Sequence, residues 1–309
     1  MKIGITGGAG FIGSNLVQLL SEMGYQVYVF DNFSTGFQKN LQNLECTIIR
    51  GDLRNLNSIK KFLMEGECQV VFHIGAIGSV PRSIENPVMS FENNSLATLN
   101  LLEAAREYGT QVIFTSSSSV YGRNIRLPKV EKDWLSPISP YAAAKLAAEA
   151  LCTSYSESFG MDIKVFRLFN VYGPKQNPDG TYAAVIPRWI RQARLGKSLQ
   201  IYGDGEQKRD FTFVKDVTSV LLAAMESKKR MEGPINLAFG NPITLNQIIE
   251  IFREYYGKIR VEYLPKRNGD IKDSESDPQM LLSLGITPKE TTTLREGLFK
   301  TFEWFERGI

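Results

Sequence analysis

Short apolar runs rich in Val, Ile and Phe alternate along this chain with longer stretches whose apolar residues recur every three or four positions. Lys2-Ile3-Gly4-Ile5-Thr6 opens as a strand, and Ile12, Leu16, Leu19, Leu20 and Met23 follow at helical spacing. Further strands are expected at 26–30, 46–50, 70–74, 111–116 and 162–169, with helices at 58–64, at 87–108 and from Tyr141 onward. Near-continuous apolar strands separated by helices predict an α/β fold, a doubly wound parallel sheet covered on both faces. Ligands of such a sheet sit beyond the carboxyl ends of its strands, where Asp31, Gly75, Ser117 and Asn170 fall.

After Asn170 the alternation loosens. Gly173-Pro174 and Asn177-Pro178-Asp179-Gly180 read as turns. Helices are expected at 183–195, from a cap at Asp216 to about Ser227, at 244–256 and at 293–306, with a strand at 259–264. The pattern divides the chain into a Rossmann-type unit at 1–169 and a smaller substrate-binding lobe at 170–309. That boundary is soft, because elements such as 211–227 could return to the first unit.

The first strand-to-helix turn is Gly7-Gly8-Ala9-Gly10-Phe11-Ile12-Gly13. Glycines there let the backbone turn tightly and approach a pyrophosphate, with the helix N-terminus facing the phosphates. The second strand ends in Asp31, followed by Asn32. A carboxylate at that place accepts from both ribose hydroxyls and repels a 2′-phosphate, which favours NAD over NADP. Asp52 and Leu53 follow the third strand and could border the adenine; Asp52 also suits a plain turn or cap.

Tyr141 and Lys145 lie four residues apart in Ser139-Pro140-Tyr141-Ala142-Ala143-Ala144-Lys145. On a helix this places both on one face, with Ser139 as cap and Pro140 in the first turn. An ammonium beside a phenol favours phenolate, so the spacing predicts a tyrosine whose pKa is lowered toward working pH. Such a phenol can exchange a proton with an alcohol. The same spacing also fits an ordinary solvated helix face, and the remainder of the chain decides between the two.

Composition narrows the field. The chain has 309 residues, 43% hydrophobic and 22% charged, and a net charge of +3 gives no electrostatic case for nucleic acid or an anionic membrane. No apolar run is long enough to span a bilayer, and an opening that runs directly into a strand predicts no signal peptide. Cys46, Cys68 and Cys152 are scattered, fit no metal spacing, and point to reduced thiols in a cytoplasmic setting. His73 is the one histidine; it ends an apolar strand and is expected to be a hydrogen-bonded core residue, which excludes a His-rich metal site.

Taken together, these motifs resemble the extended short-chain dehydrogenase/reductase family over essentially the whole chain. The resemblance rests on the Gly7–Gly13 turn, Asp31-Asn32, Ser117 before Val120-Tyr121-Gly122, Tyr141 with Lys145, and Arg167-Leu168-Phe169-Asn170-Val171-Tyr172-Gly173-Pro174. Gly203-Asp204-Gly205, Arg209-Asp210-Phe211 and Arg267-Asn268-Gly269-Asp270 add to it. Within the family the chain looks most like the UDP-hexose 4-epimerases. Gly78-Ser79-Val80-Pro81-Arg82-Ser83 and Tyr182-Ala183-Ala184-Val185-Ile186-Pro187 are similar to the branch acting on UDP-N-acetylglucosamine.

The resemblance implies Tyr141 as acid/base, Lys145 as its electrostatic partner and a contact to the nicotinamide ribose, and Ser117 on the reacting 4-hydroxyl. It implies NAD held by the glycine turn, Asp31 and Asn94. The UDP diphosphate would fall to Asn170, Arg209 and Arg267 and the uridine ribose to Asp270, with Ser79 among the substrate-binding residues. Ser274, four residues after Asp270, would face the C2 substituent, where a small side chain leaves room for an N-acetyl group. The implied reaction oxidises C4 and reduces it again from the other face. Two departures stand out: Ile77-Gly78 lacks the long polar residue many relatives carry near the nicotinamide phosphates, and Leu168 stands where some epimerases have Tyr. Related dehydratases carry Asp-Glu, and decarboxylases Glu, just before Val-Tyr-Gly; this chain has Ser118-Ser119. A UDP-glucuronate 4-epimerase stays open because Arg82 could meet a carboxylate, and an NAD-binding redox sensor is the alternative outside enzymes. Relatives commonly pair the 87–108 and Tyr141 helices across a two-fold axis, so a homodimer built on a four-helix bundle is expected, through positions such as Leu96, Leu99, Leu102, Ala143, Ala147 and Leu151.

Overall fold

The computed structural model describes residues 1–179, 183–266, 273–288 and 290–307. Its main sheet contains β1 (Lys2–Thr6), β2 (Gln26–Asp31), β3 (Thr47–Arg50), β4 (Val70–His73), β5 (Gln111–Ser117) and β6 (Ile163–Leu168), all at expected places. A seventh strand, Ile235–Leu237, pairs parallel with β6 and was not expected. The spatial order runs from that strand through β6, β5, β4, β1 and β2 to β3, parallel throughout. The chain reverses its direction of travel across the sheet between β1 and β4, which opens a crevice at their carboxyl ends.

In chain order the helices are α1 (Phe11–Glu22), α2 (Leu56–Gly66), α3 (Val80–Glu85), α4 (Pro87–Phe91), α5 (Ala97–Tyr108) and α6 (Pro140–Phe159). They continue with α7 (Val185–Arg194), α8 (Val214–Glu226), α9 (Leu245–Tyr256), α10 (Gln279–Leu284) and α11 (Leu294–Glu306). One face of the sheet is covered by α1, α8 and α10, through Leu16, Leu20, Val217, Leu221 and Leu281. The other is covered by α2, α5 and α6, through Ile59, Phe62, Leu101, Leu102, Ala148 and Cys152. A separate core joins α7, α9 and α11 around Trp189, Phe252 and Phe302, and this is the smaller lobe.

The division at residue 169 is therefore crossed by three later elements. The Ile235–Leu237 strand, α8 and α10 return to the first unit, because their apolar faces complete its sheet and cover it. Asp216 does not cap α8. It lies inside the first turn and its carboxylate accepts from Thr292 N–H and Oγ, both at 2.9 Å.

The expected helix at 87–108 is continuous but not uniform, since residues Glu92–Leu96 form a π-turn between α4 and α5. Helix α6 starts as its sequence requires: Ser139 Oγ accepts from Ala142 N–H at 3.1 Å, and Pro140 occupies the first turn. Glu149 on α6 and Arg167 on β6 form an ion pair at 2.8 Å with side chains only 3% and 4% exposed. Arg167 also donates to Tyr121 Oη at 3.0 Å, and Tyr121 donates to Asn236 of the seventh strand at 2.7 Å.

Candidate active site

A cavity of about 650 Å³ occupies the crevice at the strand ends. Gly7, Gly10, Phe11, Ile12 and Gly13 line one end of it, and Ser117, Tyr141 and Lys145 the other. Gly7 has φ +68°, and a Cβ there would stand 2.6 Å from Gly75 Cα. A Cβ on Gly13 would stand 2.2 Å from the Gly7 carbonyl oxygen, so only hydrogen fits. Helix α1 opens here with no side-chain cap and no carboxylate in its first turn, leaving its orphan N–H groups for an anion.

Asp31 lines the same end and is buried. Its carboxylate accepts from Ala9 N–H at 2.9 Å and Phe33 N–H at 2.8 Å, locking the glycine turn to the loop after β2. Asn32 donates to Asp52 at 3.1 Å, and Arg54 beside Asp52 holds that carboxyl well below the usual carboxylate range. Asn32, Asp52 and Leu53 all line the cavity, and Leu53 Cδ1 closes against Gly75. Asn94 does not line it. Buried in the π-turn, its amide donates to Ser90 O at 2.7 Å and Ile77 O at 3.4 Å, while the neighbouring Asn93 faces the cavity.

At the other end Lys145 is buried, and Ser117 and Tyr141 are half-buried. Lys145 donates to the Thr115 carbonyl at 2.9 Å, sits 4.7 Å over the Phe114 ring, and burial pushes its ammonium down to about 8. Burial pushes the Tyr141 phenol up, and a hydrogen-bonding influence from Ser117 acts the other way. The expected lowering of Tyr141 by Lys145 is thus not what the structure shows: the ammonium is committed to Thr115, and burial resists charge on both groups. Gly78 stands next to Tyr141, where an added Cβ would lie 3.9 Å from the phenol oxygen. His73 behaves as a core residue. Its ring nitrogens meet Thr6 Oγ at 2.8 Å and Thr98 Oγ at 3.0 Å, and burial lowers its pKa to about 3.

Toward the second lobe, Ser79 lines the cavity and caps α3, accepting from Arg82 N–H at 3.3 Å. Asn170 lines it too, with φ +33° and its amide donating to Asp210 O at 3.1 Å. Arg209 and Ser274 are brought together as bridge partners, and neither lines the cavity. Tyr182, Arg267 and Asp270 lie outside the described residues.

Several lining residues escaped sequence reasoning. Asn40 donates to Ala9 O at 2.9 Å, and Phe37 N–H bonds the same carbonyl at 3.0 Å, so the loop after β2 folds back over the glycine turn. Lys175 reaches Ser14 O at 3.2 Å and Gln18 Oε1 at 3.0 Å, with burial lowering it to about 8. Both are contacts between remote segments, and no spacing in the chain announces them.

An uncapped helix N-terminus behind a glycine turn, a buried Asp at the next strand end, and a Tyr–Lys pair with a nearby Ser define a dinucleotide-dependent enzyme. Known proteins agree. The model of the NAD dependent epimerase/dehydratase family matches residues 3–238. A putative UDP-glucose 4-epimerase of Methanocaldococcus jannaschii is 33% identical over 98% of both chains. A UDP-N-acetylglucosamine 4-epimerase from Methanobrevibacter ruminantium, solved with UDP-N-acetylmuramic acid, is 39% identical over 100% of this chain and 99% of that one, with a TM-score of 0.94. A UDP-glucuronic acid 4-epimerase from Bacillus cereus, solved with UDP-glucuronic acid and NAD, is 33% identical over 100% of both chains, with a TM-score of 0.91. The chain belongs to the NAD-dependent epimerase/dehydratase family of extended short-chain dehydrogenases/reductases, and its cofactor is NAD.

The tightness of the glycine turn is directly testable. Gly13→Ala should weaken NAD binding by at least about tenfold, since the methyl group must displace the Gly7 carbonyl. Titration of the variant with NAD, followed by calorimetry, checks this; wild-type affinity would show that the turn does not shape the site.

Proposed function

We propose that the protein inverts C4 of a UDP-hexose, interconverting UDP-N-acetylglucosamine and UDP-N-acetylgalactosamine, with UDP-glucose and UDP-galactose as further substrates. One observation carries this reading: Ser117, Tyr141 and Lys145 share the cavity with the glycine turn, while the positions before Val120 are Ser118 and Ser119 rather than carboxylic acids. A hydroxyl cannot remove a C5 proton at neutral pH, which disfavours dehydratase chemistry.

In this reading Tyr141 exchanges its proton with the 4-hydroxyl, and Ser117 hydrogen-bonds the same oxygen. Lys145, anchored on Thr115, follows Tyr141 by one turn on the same face of α6. Asp31, Asn32 and the Gly7–Gly13 turn hold NAD, which supplies reversible hydride acceptance at C4 when bound. Asn170, Arg209, Arg267 and Asp270 hold the UDP part, the guanidinium groups suiting phosphate oxygens. A second reading, a uronate or other acidic sugar, is favoured by Arg82. It lines the cavity beside Ser79 and forms no salt bridge among the described residues.

We also propose a homodimer. Ile84, Val88 and Phe91 are 62%, 68% and 55% exposed, and Leu96 and Ala143 are exposed near Ala147 and Leu151. Leu102 is fully buried in the sheet-facing core, so it does not belong to that face. A cytoplasmic location is in keeping with three unpaired cysteines, two of them buried.

Incubating the protein with each UDP-sugar and separating the products should show C4 epimers, with Tyr141→Phe slower by about 10²- to 10⁴-fold while still binding NAD. Near-normal turnover in that variant removes Tyr141 from the chemistry. Conversion of UDP-glucuronate alone would select the second reading.

Replacing Ser274 by tyrosine should abolish turnover of the acetylated pair and spare UDP-glucose, if the side chain gates the C2 pocket. Equal effects on both pairs would show that it does not. Light scattering at micromolar concentration should give twice the chain mass; a monomer contradicts the dimer.

A further inference from the structure

We propose that Ser119 is a positioning residue whose main-chain N–H and hydroxyl orient the Ser117 side chain so that Ser117 presents its own hydroxyl proton to the cleft. This rests on the reading of Ser117 and Tyr141 given above. Ser117 ends β5 in extended conformation and serves as N-cap of a short 3₁₀ turn, Ser118–Tyr121. Its Oγ accepts from Ser119 N–H at 3.2 Å and lies 2.9 Å from Ser119 Oγ, which donates to it. A serine hydroxyl has one proton and two lone pairs. The backbone N–H can only donate, so one lone pair of Ser117 is always taken. Once Ser119 Oγ fills the other, the Ser117 proton has no acceptor behind it and must point forward, toward Tyr141 and the cavity that Ser117 lines. In the reverse arrangement Ser117 would spend its proton on Ser119 and could not donate to a sugar oxygen.

Ser119 itself does not line the cavity, so it acts through Ser117. The turn that carries it is rigid. Its carbonyl accepts from Gly122 N–H at 3.1 Å, and Tyr121, 1% exposed, is clamped by Arg167 and Asn236. Donors placed in advance need no reorganisation when charge develops, which is where such orientation raises a rate. The serine that replaces the acid of related dehydratases therefore has a role of its own.

The test is a set of variants assayed with the UDP-sugar that the product assay identifies. Ser119→Ala should lower kcat roughly tenfold to a hundredfold with little change in KM. Without substrate a disoriented Ser117 no longer favours the ionised phenol, so the acidic limb of the kcat/KM–pH profile should move up by about one unit. Ser119→Thr keeps the hydroxyl and should restore both. In a double-mutant cycle, adding Ser119→Ala to Ser117→Ala should cost nothing further. Unchanged kcat and pH profile in Ser119→Ala, or fully additive losses in the cycle, would overturn the proposal. Should alanine unfold the turn, Ser119→Cys, a weak donor of similar size, should show the same slow rate and shifted limb; wild-type behaviour there also overturns it. Wild-type turnover in Ser117→Ala would instead overturn the reading of Ser117 on which it rests.

Discussion

Two charges buried side by side, the Arg167 guanidinium and the Glu149 carboxylate, set where the helix bearing Tyr141 and Lys145 lies. The contact is forked, with Nε at 3.0 and 3.2 Å and Nη2 at 2.8 Å from the carboxylate oxygens. Either charge alone in that interior would cost several kcal/mol, about 3 or more, so the two cannot part cheaply. The other guanidinium nitrogen reaches Tyr121 Oη and the Glu131 carbonyl, and Tyr121 passes the link to Asn236. Helix α6, strand β6, the turn after β5 and the seventh strand are thereby tied to one point. Glu149 follows Lys145 by one helical turn and Tyr141 by two, so fixing its side chain fixes the rotation of all three.

Burial also sets the protonation of the groups around Tyr141. Burial lowers His73 to about 3 and Lys145 to about 8, and raises the Tyr141 phenol. A low-dielectric cleft resists charge on any group that lacks a close partner of opposite sign. Lys145 meets this by donating to a carbonyl, and Tyr141 by its relation to Ser117. Which charge state each of these groups holds therefore depends on the hydrogen bonds it finds.

The second lobe is knitted to the first unit in the same manner. Asp210, buried and pushed up to about 6, accepts from Gly240 N–H at 3.0 Å and Ser276 N–H at 3.2 Å. Its own N–H bonds Ser274 O at 2.8 Å and its carbonyl accepts from Asn170. One residue thus joins the segment after β6 to the strand carrying Arg209 and to the segment carrying Ser274. Because α8 and Ile235–Leu237 belong to the first unit's core, the small lobe is an outgrowth of that unit rather than a neighbour on a linker.

Local chemistry made much of this legible in the chain. Six strands, the glycine turn, the Ser139 cap, the Tyr141–Lys145 spacing and the Asp31 strand end all depend on residues close in sequence, where periodicity and capping act directly. The seventh strand is three residues long, too short to show a period, and only its pairing with β6 makes it a strand. The π-turn that turns Asn93 to the cavity and buries Asn94 is a register shift that no spacing displays. Nor could spacing say that Lys145 would bond Thr115, that Asn40 would close over Ala9, or that Arg167 would find Glu149. Those are choices among partners far apart in the chain, and burial decided them: an unpaired polar group in a dry interior is costly enough that packing selects the arrangement in which each finds its partner.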